Sequence, residues 1–303
     1  MKYKIENFLT FLDQEKIHYS FKGNQAIIID GFCPLQTPKR NQITWIKKPE
    51  TFDLKTLADY SDLLVVTTFE GEAIYHDTKQ AVLYCENPKE VYFMILTAFF
   101  DTEKYQPGIH ATAVVESKTI GREVFIGCHT YIGKDVEIGN GVIIKNNVSI
   151  EGKVVIGDNT IIQSGCIIGL EGFGFYKNEQ GNNTRVPHFG GVKIGHDVEI
   201  GPNVVVSRGT MNDTVIGNYV KIDMLSRIGH NVTLEDNCIV IVATLSGSVY
   251  VGENSYIGVD AVVKNQVKIG KNCLIGMGAV VTKDVDDMKV VAGLPAKVIR
   301  DNN

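Results

Sequence analysis

Residues 124–168 read VFIGCHTYIGKDVEIGNGVIIKNNVSIEGKVVIGDNTIIQSGCII, and an aliphatic side chain recurs at every sixth position, from Ile126, Ile132 and Ile138 to Ile156, Ile162 and Ile168. Upstream the series starts at Val114 and Ile120. Glycine often follows directly, as at Gly127, Gly133, Gly139 and Gly157, and two residues before each aliphatic stands a small or β-branched side chain, such as Val124, Thr130, Thr160 or Cys166. A six-residue period drifts around an α-helix of about 3.6 residues per turn. An amphipathic strand alternates every second residue instead. Short strands joined by turns at fixed intervals fit both features. If each hexapeptide is one flat face, three make a turn of a triangular prism with the aliphatics inside, and stacked turns pair their backbones in parallel ladders. The glycine after each aliphatic is expected to supply the backbone conformation of the turn.

Working outward, the register lapses after Ile168, and residues 170–190, LEGFGFYKNEQGNNTRVPHFG, read as a loop leaving the prism. Hexads return at Ile194, Ile200 and Val206. A short insertion, RGTMNDT, precedes Ile216, Ile222, Ile228, Leu234 and Val240. The step from Val240 to Val251 is one residue short of two hexads, after which Val251 to Val281 keep strict step. Loops on such a scaffold usually carry function. The chain therefore divides into residues 1–105, without hexads, residues 106–283, the repeat domain, and residues 284–303, a tail ending VVAGLPAKVIRDNN. The first part alternates helix-like and strand-like stretches (helices at 5–15 and 88–100, strands at 26–29, 43–46, 63–67 and 81–85), which indicates a small α/β domain. The fold class is mainly β.

The 303 residues are 44% hydrophobic and carry a net charge of −5, which excludes a disordered chain and gives no electrostatic footprint for nucleic acid. Thirty glycines against eight prolines suit many tight turns. The six cysteines form no C-x-x-C pair and no metal-ligand spacing, so no metal is implied and the thiols read as reduced, in a cytoplasmic setting. Charges interrupt the apolar residues of the N-terminus, which is no signal peptide, and the longest apolar run, residues 238–245, is too short for a membrane span.

The hexapeptide column resembles the left-handed parallel β-helix of the hexapeptide acyltransferases; the hand is implied by the resemblance alone. GFGFYKNEQGNNTRVPHFGGVKIG, SRGTMNDTVIGNYVKID and IGHNV resemble motifs of the UDP-3-O-acylglucosamine N-acyltransferase family of lipid A biosynthesis. GFCPL, ITWIKKP and ENPKEVYFMILTAFF are similar to that family's nucleotide-binding domain. The resemblance implies a homotrimer, His230 as catalytic base, Asp223 as an associated aspartate, and Gly247 as the residue whose N–H faces the developing oxyanion. Departures are Gln266 where a second histidine is expected, Lys48 in place of Asn, and Thr51 or Phe52 where the family has a stacking Tyr. In place of the family's helical C-terminal extension, VVAGLPAKVIR resembles the ending of sugar acetyltransferases that use acetyl-CoA. That likeness places Gly276, Lys283, Lys297 and Arg300 beside coenzyme A; the three basic residues are equally consistent with a solvated edge.

The chemistry agrees with these assignments. Acyl transfer from a thioester to an amine needs a donor for the oxyanion and a base for the ammonium proton, and an imidazole titrates near neutrality. His230, two residues past Ile228, is expected to point outward near a corner, toward a neighbouring subunit. Asp223 either orients His230 or holds the sugar, or is simply a turn Asp. Arg208 and Asp213 either shape the acceptor pocket or form a plain turn. Phe173 and Phe175 either line the acyl or sugar site or pin the loop to the prism. Trp45 either stacks on a base, with Phe52 nearby, or anchors the core. His188 and His196 are left unassigned. The expectation is an N-acyltransferase that moves a short acyl group from acyl-CoA to the amine of a nucleotide-linked sugar in cell-envelope polysaccharide synthesis. The alternative is the lipid A enzyme, with acyl-carrier protein as donor. No tightly bound cofactor is implied.

Overall fold

The computed structural model describes residues 1–48, 57, 59–69, 80–101 and 105–302, and the chain divides into two compact units, Met1–Lys104 and Tyr105–Asn303. In the second unit three ladders of eight, eleven and nine strands form, parallel throughout except for the last strand of the tail. Partners lie eighteen residues apart, as in Ile126 with Ile144 and Ile132 with Ile150, so three hexads make one turn. Every inward aliphatic from Ile126 to Val281 is almost fully buried, and the small residues two positions earlier, such as Val142, Thr160 and Cys166, fill the space beside them. The architecture is a parallel β-helix.

The glycines act differently from the sequence expectation. Left-handed backbone falls three residues after the aliphatic, at residues such as Asn147 (φ 57°), Asn159 (φ 57°) and Asn203 (φ 58°), where a short polar side chain tolerates it. Gly127 and Gly139 have no positive φ; a Cβ on Gly127 would stand 2.7 Å from the Lys145 carbonyl carbon, and one on Gly139 2.8 Å from the Asp158 nitrogen. They are glycines because the next coil passes too close for a side chain.

The missing residue between Val240 and Val251 falls at one corner, where the step to Leu245 is short and Val242 takes φ 43°. The pairing of Ile228 with Leu245 and of Leu245 with Val263 nevertheless continues without a slip. In the tail, Lys289–Ala292 adds a further parallel strand on Leu274–Ile275, and Lys297–Asp301 folds back antiparallel upon it.

The first unit is α/β. Its sheet runs in the order Tyr19–Lys22, Ala81–Cys85, Leu64–Thr68, Gln42–Ile46, Gly31–Phe32, antiparallel only at the first pair. Alternate residues of the central strands serve two cores: Leu64, Val66 and Leu83 pack with Phe8, Leu12 and Ile95 of the helices Ile5–Gln14 and Pro88–Phe100, while Val65, Val82 and Tyr84 pack with Leu57 and Leu63. Asn87 caps the second helix by accepting the Glu90 N–H, and Pro88 begins it, where a missing N–H costs nothing. No helix among the described residues is long and apolar enough to cross a membrane.

Candidate active site

His230 leaves the nine-stranded ladder just after Ile228, before the corner residue Asn231 (φ 59°). The register places it in a column. Val206, Ile228, Leu245, Val263 and Val281 are successive partners, so two residues further on stand Arg208, His230, Gly247, Asn265 and Lys283. Gly247 thus lies one coil from His230. A Cβ there would overlap His230 Nε2 and stand 2.6 Å from its Cε1, so the imidazole rests directly on the glycine backbone. The Gly247 carbonyl accepts the Gln266 N–H at 3.0 Å.

The other ring nitrogen is held by Asn231. Its Oδ1 lies 3.1 Å from His230 Nδ1 and also accepts the Thr210 N–H at 3.0 Å, while its Nδ2 donates to the Asn212 carbonyl at 2.8 Å. These partners orient the amide with its oxygen toward the imidazole. Nδ1 accordingly carries the proton, and Nε2, beside Gly247, is the basic nitrogen.

The loop thrown out after Ile168 returns over this histidine. It contains a hairpin of Phe175–Lys177 with Asn183–Arg185. Glu171 ties its ends down: the carboxylate pairs with Arg208 at 3.0 Å and Arg185 at 3.6 Å, and accepts the His188 N–H at 3.4 Å. The Arg208 hydrogen bond chiefly holds the Glu171 carboxyl below the usual carboxylate range. His188 is buried, with its ring 5.3 Å from that of His230 at 79°. Gly172 crosses both rings; a Cβ on it would lie 2.7 Å from His188 Nε2 and 2.9 Å from His230 Cδ2. His230 is therefore half-buried by its own chain rather than simply turned outward.

The remaining residues singled out from the sequence distribute as follows. Asp213 holds the base of the loop, accepting the Gly191 N–H at 2.8 Å and pairing with Lys193 at 2.9 Å; the lysine hydrogen bond chiefly lowers its pKa. Phe173 and Phe175 meet edge to face at 4.8 Å and stay exposed, so they do not pin the loop. Asp223 belongs to the eleven-stranded face, accepts the neighbouring Met224 N–H at 2.8 Å, and borders a groove of about 300 Å³ with Lys221 and Gln163. Among the described residues of one chain it is not joined to His230. Gly276 supports the tail, with its N–H on the Val291 carbonyl. Lys283, Lys297 and Arg300 are exposed, and the Arg300 guanidinium donates to the Asp301 carbonyl at 2.7 Å. Trp45, half-buried and 6.4 Å from the Tyr92 ring, lines a pocket of about 850 Å³ in the first unit with Phe32, Thr44, Lys47 and Lys48. Phe52 and Thr51 lie outside the described residues.

Sequence reasoning passed over Asn231, Thr210, Glu171 and Gly172 and left His188 unassigned. Asn231 follows the histidine directly in GHNV, and Gly172, His188 and Thr210 stand within the other motifs, but nothing local marks any of them as a neighbour of His230. Burial pushes the Cys85 and Cys238 thiols up to about 12 and Cys166 to about 11, far from a thiolate nucleophile.

A three-faced coil of hexapeptides with a histidine boxed at one corner is the arrangement of a hexapeptide-repeat acyltransferase. Residues 117–152 and 248–283 match the family described as bacterial transferase hexapeptide (six repeats). A UDP-3-O-acylglucosamine N-acyltransferase of Coxiella burnetii is 36% identical over 236 residues, covering 70% of this chain and 68% of that protein. The protein of that name from Ectopseudomonas mendocina is 39% identical over 243 residues, 74% of this chain and 67% of its own. In structure, UDP-N-acetylglucosamine acyltransferase from Campylobacter jejuni superposes with a TM-score of 0.58 at 27% identity, covering 64% of this chain and 75% of that one. The chain belongs to the family of the UDP-3-O-acylglucosamine N-acyltransferases and is an N-acyltransferase.

Proposed function

We propose that this protein transfers an acyl group from an acyl-carrier-protein thioester to the amine of a UDP-linked 3-O-acylated amino sugar, a step of lipid A assembly. The observation that carries the reading is the His230–Gly247 pair: a basic Nε2 with its tautomer set by Asn231, resting on a glycine one coil away. The names of the relatives favour this acceptor over the broader expectation of short-acyl transfer in polysaccharide synthesis. The amine attacks the thioester carbonyl, forming the C–N bond, and its proton passes to His230 Nε2. The Gly247 N–H receives the oxyanion. Collapse breaks the C–S bond, and His230 returns the proton to the departing thiolate.

The Trp45 pocket of the first unit, aromatic with lysines at 47 and 48, takes the nucleotide in this reading. Asp223 serves the site only across a subunit boundary of the proposed homotrimer. A second donor, coenzyme A, is favoured by Lys283, which stands three coils along the column from His230, roughly 14 Å at the usual strand spacing. The test pairs UDP-3-O-acylglucosamine with acyl-carrier-protein and CoA thioesters and measures amide product by mass spectrometry. Product from the carrier protein supports the first donor, product from CoA alone the second, and no product from either refutes the acceptor. Separately, a UDP-sugar at a hundredfold excess over its dissociation constant should stabilise the fold by about 2.7 kcal/mol.

A further inference from the structure

We propose that His188 is a positioning residue for His230, holding its imidazole against Gly247 and supporting the imidazolium formed when His230 takes the amine proton. This rests on His230 being the base, as above.

His188 is 4% exposed, and its Nδ1 lies 2.9 Å from the Val186 carbonyl. A carbonyl only accepts, so Nδ1 carries the hydrogen and Nε2 is left with a bare lone pair. That Nε2 is buried with no hydrogen-bond partner among the described residues. Leaving a buried acceptor unmade is costly, so its position calls for a reason.

Its neighbour is His230. The rings meet nearly perpendicular, and His188 Nε2 and His230 Cδ2 border one point under Gly172, 2.7 Å and 2.9 Å from where a side chain there would begin. Cδ2 is the ring carbon bonded to the basic nitrogen of His230. When Nε2 gains a proton, positive charge spreads onto that carbon and its hydrogen, and a lone pair close to it becomes favourable. Before transfer, the His188 ring packs edge to face against that of His230, 5.3 Å between centroids, and restricts its rotation. The charged and titratable groups around His188 are Glu171, which accepts its N–H, Arg208 and Arg185 paired to that carboxylate, and His230 itself. Glu171 pairs with both arginines, and Arg208 Nε, like His188 Nε2, is buried with no hydrogen-bond partner among the described residues. Gly172 is needed as well, since any side chain there would enter between the rings.

The experiment compares His188→Phe, which keeps a ring without nitrogens, and His188→Gln, which restores an acceptor, with the wild type and His230→Ala in the full chain. kcat, KM and the pH profile of kcat are measured, with thermal midpoints as folding control. We expect His188→Phe to lower kcat roughly tenfold with KM unchanged. The acid limb of its profile should move to lower pH, because the protonated form of His230 loses support. His188→Gln should recover much of kcat and return the limb toward the wild type. If Phe does not fold, His188→Leu, smaller and likewise without a ring nitrogen, takes its place with the same expected fall in kcat and shift of the limb. Wild-type kcat and limb in both variants overturn the proposal, as does an equal fall in both with an unmoved limb, which marks mere packing. In either case, loss of turnover in His230→Ala leaves the base assignment standing; retained turnover there overturns both.

Discussion

At the scale of single residues, the site depends on two glycines as much as on its histidine. Gly247 gives His230 Nε2 a surface without a side chain, and Gly172 passes over two imidazoles at once. Gly247→Ala should displace the imidazole and lower kcat by about 10² or more, the scale of losing an oxyanion donor, while the thermal midpoint changes little; wild-type kcat in that variant would contradict the packing described. GHNV made His230 legible in the sequence, because the motif is contiguous. The proposed role of His188 was not legible, because it lies in a contact with a distant residue that only the folded loop creates.

Among the elements, the hexads were the most readable, since each inward aliphatic repeats one burial pattern. The loop of residues 170–190 was readable only as a departure. Its closure depends on Glu171 reaching Arg208, 37 residues away, and no local pattern records that pairing. The strand Tyr19–Lys22 escaped for a similar reason: its residues are mostly half-buried, and its partner strand is Ala81–Cys85. The role given to the hexad glycines was also wrong in mechanism, because tight approach between coils is a long-range property. The Glu171 clamp has a pH signature. Its carboxyl titrates below the usual value in the folded protein, so the stabilisation is complete above the unfolded value and is lost as pH falls through the folded one. Thermal midpoints of wild type and Glu171→Gln should therefore differ near neutrality and converge in acid; a gap that persists in acid would show that the clamp is not electrostatic. The effect is modest, because the group is partly exposed.

For the molecule as a whole, stability resides in one continuous column of aliphatics in the second unit, with separate cores in the first. Ile228→Ala, in the coil that carries His230, should cost about 2–5 kcal/mol by denaturant unfolding, and a cost below 1 kcal/mol would mean that the coils relax around the cavity. Five of the six cysteines are buried and only Cys128 is half-exposed. A thiol reagent should thus label Cys128 well before the others in the native protein, and rapid labelling of several would contradict the packing of both units. The central claim is that a corner histidine of this coil serves as base for acyl transfer to a nucleotide-linked amine. Its most direct test is turnover of UDP-3-O-acylglucosamine with acyl-carrier-protein thioester by wild type and His230→Ala under matched conditions. The account predicts a fall of at least 10² in kcat with the fold intact; a fall of less than tenfold would contradict it.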